Sequence, residues 1–433
     1  RGMKLEPWPT DYDDRYLPAA HQDSWCPELE KAPPEARERV ILFKLKNILA
    51  WAWQTSPFYR RKWEAAGVNP EMVRSLEDFA KFPVVTKQEL RATQDEHPPF
   101  GGHLCVNPGE VSRVHGTSGT TGTPTLFGIH NSDWRRIANA HARIMWAAGI
   151  RPSDTIIVGS PFSLYVGSWG VLAGGQRLGA TLLPFGAGVS GQTAVAVRLM
   201  ERVRPTCFYG TPSYALRVAE VAAAEGLDPK RDFGLRIMFF SGEPGAGIPA
   251  TKKKIEDIFG AAVIDMGSTA EMTPWMTNGE CIKRTGMHLW QDIVYAEVCD
   301  PATFKPVPFG AEGTPIYTHL ERISQPMIRV LSGDLTRWVA DPCPCGRTYP
   351  RLPQGIYGRI DNMLVVRGHN VYPHVVEDTL RAIPGLGEEF RIIVSRQEAL
   401  DEFVVEAEYD EAHQEPAARA LLAANAIEKL RQA

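Results

Sequence analysis

Long apolar runs are missing from this chain: none of its 433 residues fall in a stretch approaching the ~18 that a membrane-spanning helix requires. After Arg1-Gly2-Met3-Lys4 no apolar segment follows, so no signal peptide is expected. A charge excess of one sign is missing too. With 47 basic against 51 acidic residues the net charge is −4, which excludes a broad basic field. Neither a nucleic acid nor a membrane surface is therefore expected as a partner. Cysteine is sparse, odd in number at seven, and set singly in apolar runs (Cys105, Cys207). That argues against a disulfide framework and for a reducing, cytoplasmic setting. A Walker phosphate loop is also lacking, because no glycine-rich run ends in Gly-Lys-Ser/Thr. The length exceeds what one ordinary core accommodates, so at least two domains are expected.

The most distinctive stretch runs from Arg113 to Thr125. Gly116, Gly119 and Gly122 alternate there with Thr117, Ser118, Thr120, Thr121 and Thr123. Glycine lets a backbone approach a ligand closely, and successive amides with hydroxyls form an anion-binding nest. A flexible linker is the bland alternative. Strand-like runs on both sides, Val111–Val114 and Leu126–Ile129, argue for the nest. Downstream, apolar strands at 154–159, 180–184, 207–210 and 235–240 alternate with helical segments at 131–148 and 194–203. Asp133 is the expected cap of the first of these helices. The alternation predicts an α/β fold with parallel strands, whose ligands sit at the carboxyl ends. Three unusual runs fall at such ends: Tyr209-Gly210-Thr211-Pro212, Ser241-Gly242-Glu243-Pro244, and Asp265-Met266 leading to Glu271.

Cys281, His288, Cys343 and Cys345 form a separate set, spaced C-x6-H and C-P-C. Three thiolates and one imidazole suit a four-coordinate structural zinc. Four unrelated residues in a reduced core is the alternative reading. The run Lys252-Lys253-Lys254 reads as a solvated helix face. Phe162, Tyr165 and Trp169 are available to wall an acid pocket and weakly favour an aryl group.

The loop at 113–125 resembles the phosphate loop of the adenylate-forming enzymes. With the later runs, the chain from about Trp51 to Glu408 is most similar to the phenylacetate–CoA ligase branch of that superfamily. The resemblance implies a large multi-sheet N-terminal domain, residues 1–360, and a small α+β lid, residues 361–433, hinged at Asp361. It implies that Thr117, Ser118, Gly119, Thr120, Thr121 and Gly122 hold the phosphates of ATP. Gly242, Glu243 and Pro244 would pack on the adenine near Asp265 and Met266, and Asp334 would hold the ribose. Glu271 would carry Mg²⁺, and Arg359 would reach the ribose or α-phosphate, these two being the implied catalytic residues. Phe162, Tyr165, Tyr209, Gly210, Thr211 and Pro212 would line the acid pocket, and Arg367 and Gly368 a tunnel for CoA. The implied reaction activates an aromatic acid as its adenylate and passes the acyl group to CoA. A carrier-protein thiol as acceptor, or a zinc-stabilised nucleotide-binding protein without catalysis, are the alternatives; a homodimer is left open.

The sequence also departs from the family pattern. Thr123 stands where lysine is usual, and Ala270 separates Thr269 from Glu271. No lysine-bearing loop follows the last strand, and Lys429 lies in a helical pattern, so the lid is expected to be incomplete.

Overall fold

A computed structural model describes residues 7–117, 123–187, 191–272, 277–360, 364–366, 369–371, 373–397 and 400–432. The chain begins in helices. Helix Pro34–Thr55 sets Ile41, Leu45, Ile48, Leu49 and Ala52 on one buried stripe. Ser56 ends it, and its hydroxyl accepts from the Tyr59 amide to cap helix Pro57–Ala65. Pro57 takes that helix's first turn, where no backbone donor is needed. Helix Lys87–Glu96 opens on a capping box formed by Thr86 and Glu89.

Strands β1 (Val111–Gly116) and β2 (Leu126–His130) pair antiparallel and bracket the glycine-threonine loop. Helix Asn131–Ala147 follows at once, and its cap differs from the expected one. His130 caps it, Nδ1 accepting from the Ser132 amide at 3.1 Å. Asp133 lies inside the first turn, 2% exposed. Its carboxylate accepts from the amides of Ile323 and Ser324 at 3.2 and 2.8 Å. An acid in a first helical turn is favoured wherever its side chain points, so tertiary amides could claim it.

The central sheet contains β3 (Thr155–Val158), β4 (Thr181–Leu183), β5 (Cys207–Gly210), β6 (Ile237–Phe240) and β7 (Ala262–Asp265). All are parallel, in the order β4-β3-β5-β6-β7. Alternate side chains serve two cores. Ile157, Phe208, Met238, Phe240 and Val263 pack with Val197, Met200, Val218 and Ile255 of the crossover helices. Ile156, Val158, Tyr209, Phe239 and Ile264 pack on the opposite face with Ile144, Val171 and Leu178. Burial on both faces explains why these strands read as unbroken apolar runs.

After the sheet come β8 (Asn278–Glu280), β9 (Met287–Leu289), β10 (Val294–Cys299), β11 (Glu312–His319), β12 (Val330–Leu331), β13 (Asp334–Arg337), β14 (Arg351–Leu352) and β15 (Gly358–Arg359). β10-β11-β13-β15 run antiparallel with β12 beside β11, and β14-β9-β8 form a three-stranded sheet. The last part of the chain is a small α+β unit. It contains the hairpin β16 (Leu364–Val366) and β17 (His369–Val371), helix Pro373–Arg381, the hairpin β18 (Leu386–Gln397) and β19 (Leu400–Tyr409), and helix Pro416–Gln432. The fold is thus the expected α/β class, with several sheets and a small C-terminal α+β unit. No helix among the described residues is long and apolar enough to cross a membrane.

Five histidines are buried in the large unit, and burial pushes the pKa values of four of them down. His103, His141 and His319 fall to about 3, and His115 to about 4. Each is held neutral when folded but takes a proton near its ordinary 6.5 when unfolded. The unfolded state therefore binds more protons as pH falls below 6.5, and stability is lost on that side. Each site contributes up to about 1.4 kcal/mol per pH unit. The urea midpoint is expected to drop steeply from pH 7 to pH 5 and less so in His319→Gln; a midpoint flat across that range contradicts this account.

Candidate active site

A cavity of about 1000 Å³ opens at the carboxyl ends of β5, β6 and β7. Thr211, Ser241–Pro244 and Asp265–Glu271 line it from the sheet side, and Asp334 and Arg359 from the second sheet. Lys87, Gln88 and Arg91 line it from helix Lys87–Glu96, and Pro373, Glu377 and Phe390 from the C-terminal unit. Ligands belong at this edge because strand and helix ends leave backbone donors there.

The loop after β6 turns at Gly242, whose φ of +91° few other residues adopt. Glu243 braces it, Oε1 accepting from the Ser213 amide at 2.7 Å. The loop after β7 is held by the Met266 amide on Phe240 O (3.0 Å) and the Gly267 amide on Asn278 O (2.8 Å). Asp265 is 8% exposed, and its pKa is raised well above the carboxylate range, first by burial and then by Glu280. Lys252 pairs with Glu280 at 2.8 Å, so this lysine buttresses the site and is not part of a purely solvated face.

Glu271 is 2% exposed. Arg322 Nη1 donates to its backbone carbonyl at 3.0 Å and fixes the turn from beneath. Lys87 Nζ lies 3.5 Å from Glu271 Oε2. That is close enough for an ion pair, but Oε2 has no hydrogen-bond partner among the described residues. Asp334 and Arg359, 25 residues apart, face each other across β13 and β15, with Arg359 Nη1 3.2 Å from Asp334 Oδ1. The pair offers a carboxylate and a guanidinium side by side, matched to a diol and a phosphate.

At the phosphate loop, Thr117 and Thr125 zip the two ends together. The Thr117 amide donates to Thr125 O, and the Thr125 amide to Thr117 Oγ1, both at 3.0 Å. Ser118, Gly119, Thr120, Thr121 and Gly122 lie outside the described residues, as do Asp361, Arg367 and Gly368.

Of the six expected acid-pocket residues, Tyr165 and Thr211 line the cavity. Tyr209 reaches it through its hydroxyl, 2.8 Å from Ser241 Oγ, and the Tyr165 hydroxyl bonds to both. Burial raises the pKa of both phenols. Gly167 packs beneath them: a Cβ there would sit 2.3 Å from Tyr165 Cε1 and 2.7 Å from the Tyr209 hydroxyl. Phe162, Gly210 and Pro212 stand outside the lining, Phe162 edge-on to Trp169 with centroids 5.0 Å apart. Sequence reasoning missed Lys87, Arg91 and Arg322. Lys87 and Arg91 follow a capping box and read as surface charge, and nothing local marks Arg322.

Cys281, His288, Cys343 and Cys345 converge, all buried, with their ligand atoms within 4.8 Å of one another. Cys281 Sγ lies 3.8 Å from Cys343 Sγ, and Cys345 Sγ 3.4 Å from His288 Nε2. A zinc tetrahedron with bonds of about 2.0–2.3 Å has edges of roughly 3.4–3.8 Å, so the set fits such an ion.

A parallel sheet with a large cavity at its carboxyl edge, bordered by a small C-terminal unit, is the architecture of an α/β enzyme that binds its ligand at the strand ends. The chain belongs to the AMP-binding enzyme family, whose model matches residues 65–318, with the AMP-binding enzyme C-terminal domain matching residues 368–433. Within that family it belongs to the phenylacetate–CoA ligase branch and is an AMP-forming acyl-CoA ligase working through an acyl-adenylate. It is 36% identical to phenylacetate-coenzyme A ligase of Thermus thermophilus over 89% of this chain and 84% of that one. The corresponding figures for the Escherichia coli enzyme of the same name are 34%, 89% and 85%. A solved 2-hydroxyisobutyryl-CoA ligase in its postadenylation state with 2-HIB-AMP is 51% identical over 100% of this chain and 91% of that one, with a TM-score of 0.96. The same ligase in its thioesterification state superposes with a TM-score of 0.82 at 52% identity, again over 100% of this chain and 91% of that one.

Losing a hydrogen bond to a charged group costs about 1.5–3 kcal/mol, roughly 10–100-fold in affinity. Asp334→Ala is expected to weaken AMP binding by about that factor in calorimetry, with the melting temperature little changed. An unchanged Kd removes Asp334 from the nucleotide site.

Proposed function

We propose that the acid this ligase activates is a short carboxylic acid bearing a 2-hydroxyl. One observation carries the reading: Tyr165 and Ser241 line the cavity, their hydroxyls cluster with that of Tyr209, and Gly167 packs against both phenols. A site built of buried hydroxyls favours a substrate that returns a hydrogen bond and disfavours one that leaves them unpaired. The likeness to 2-hydroxyisobutyryl-CoA ligase at 50–52% identity over the whole chain supports the same reading. An aryl acid, expected from the sequence, is the second reading. Relatives named phenylacetate-coenzyme A ligase, 33–36% identical, and the two phenol rings of the pocket favour it.

In the proposed reaction the acid's carboxylate attacks the α-phosphorus of ATP, and the bond to pyrophosphate breaks. Asp334 and Arg359 hold the ribose and the phosphate being attacked, and the Gly242 turn receives the adenine. Glu271 would hold Mg²⁺, which supplies charge neutralisation at the phosphates when bound. The CoA thiol then attacks the acyl carbonyl and AMP leaves. The unit after residue 361 is the proposed lid that exchanges the two half-sites. Zinc at Cys281, His288, Cys343 and Cys345 would be structural, since four protein ligands leave no position for substrate. Seven free thiols, most of them buried, support a reducing cytoplasmic location.

A pyrophosphate-release assay across an acid panel tests the substrate. Activity is expected with 2-hydroxyisobutyrate at kcat/KM well above isobutyrate and phenylacetate, and Gly167→Val should abolish it while AMP still binds. Phenylacetate as the best acid overturns the reading in favour of the aryl one. The zinc proposal is checked by elemental analysis of protein never exposed to chelator. About one equivalent per chain is expected, with Cys343→Ser losing both the metal and several degrees of melting temperature. Metal-free protein of full stability counts against it.

A further inference from the structure

We propose that Lys87 holds the leaving pyrophosphate, resting on Glu271 until a metal-bound nucleotide arrives. The inference rests on the adenylation reading above and assigns a catalytic residue within it.

The charge balance of the cavity calls for such a cation. Among the described residues the cavity is lined by the acids Glu243, Asp265, Glu271, Asp334 and Glu377 against the cations Lys87, Arg91 and Arg359. A triphosphate carrying about four negative charges at neutral pH enters such a site only where cations meet it. Arg359 is already beside Asp334, at 3.2 Å. Lys87 is the lining cation at the Glu271 end of the cavity.

Glu271 is in a matching condition. Its side chain is 2% exposed, Lys87 Nζ pairs with its Oε2 at 3.5 Å, and that oxygen accepts no hydrogen bond among the described residues. A buried carboxylate oxygen with an ion pair but no hydrogen bond is incompletely compensated. The pair neutralises charge and leaves hydrogen-bonding capacity open, which is what a place-holder for a stronger cation requires. Lys87 can also leave, because its side chain is 28% exposed on a flexible four-carbon stem.

The base of that stem is held by the capping box. The Thr86 amide donates to Glu89 Oε2 at 2.8 Å, and the Glu89 amide to Thr86 Oγ1 at 3.2 Å. Leu90 of the same turn is fully buried. Arg91 lies four residues on, along the same helical face, and also lines the cavity. The helix thus presents two long cations from an immobile base.

Removing one transition-state charge contact costs about 10²–10³ in rate. Lys87→Gln in the full chain is expected to slow pyrophosphate release by about that factor, and Lys87→Arg to recover most of it. In thermal-shift titrations, magnesium pyrophosphate is expected to protect the wild type and Lys87→Gln about tenfold less strongly, while AMP protects both alike. Thioester formation from preformed acyl-adenylate and CoA should be spared, because no pyrophosphate is present in that step. Equal loss of both half-reactions, or of AMP protection, makes Lys87 a structural residue and overturns the proposal; so does undiminished pyrophosphate protection in Lys87→Gln. A wild type that adenylates no acid overturns the functional reading instead, and selective loss of pyrophosphate protection in Lys87→Gln would still support the assignment.

Discussion

A carboxylate withdrawn from water needs a cation, and this requirement organises the molecule. Glu30 is fully buried and meets Arg143 and Arg347 at 2.9 and 2.8 Å. Arg143 reaches on to Asp292 at 2.7 Å, and there burial is outweighed by the guanidinium, so that the Asp292 carboxyl is lowered to about 2. Glu297 meets Arg329 at 3.1 Å, and Glu321 meets Lys44 at 3.3 Å. Two of these pairs, Glu30–Arg347 and Lys44–Glu321, tie the first helices to loops some three hundred residues away. Glu271 follows the same pattern: it is as deeply buried, and Lys87 meets it at 3.5 Å. Arg322 is a buried guanidinium that spends one donor on the Glu271 carbonyl, while Nε and Nη2 have no hydrogen-bond partner among the described residues. The same rule thus holds in the core and at the cavity.

Geometry supplies the other half. The parallel strands β5, β6 and β7 end in register, Gly210 beside Phe240 and Phe240 beside Asp265. Three loops therefore leave the sheet along one edge and share one cavity. The antiparallel register of β13 with β15 adds Asp334 and Arg359 from the facing side. No side chain has to travel far, and the positions are set by backbone hydrogen bonds rather than by mobile surface contacts.

How legible this was follows from the same distinction. Apolar strands closed by glycine or proline turns are local signals, so 207–210 and 237–240 and the loops after them could be read directly. The Cys/His set was legible because sulfur and imidazole are rare enough to stand out. Asp133 was misread because a capping side chain and a tertiary acceptor look alike until the partner amides of Ile323 and Ser324 are in place. Lys87 and Arg91 could not be read, since a lysine after a capping box is ordinary helix surface wherever no cavity faces it. The expected aromatic wall was half legible. Phe162 and Trp169 do pack together, but on each other, and the lining went to hydroxyls.

The small C-terminal unit completes the site without being locked to it. Pro373, Glu377 and Phe390 border the nucleotide cavity, and helix Pro373–Arg381 packs on helix Pro249–Phe259. At that contact both signs of charge meet: the Lys254 pKa is lowered first by burial and then by Arg381, which itself pairs with Glu377 at 2.8 Å. The solved 2-hydroxyisobutyryl-CoA ligase superposes better in its postadenylation state than in its thioesterification state, 0.96 against 0.82, although the sequences compared are equally similar. Chains that alike differ so much in superposition only if large pieces move as units.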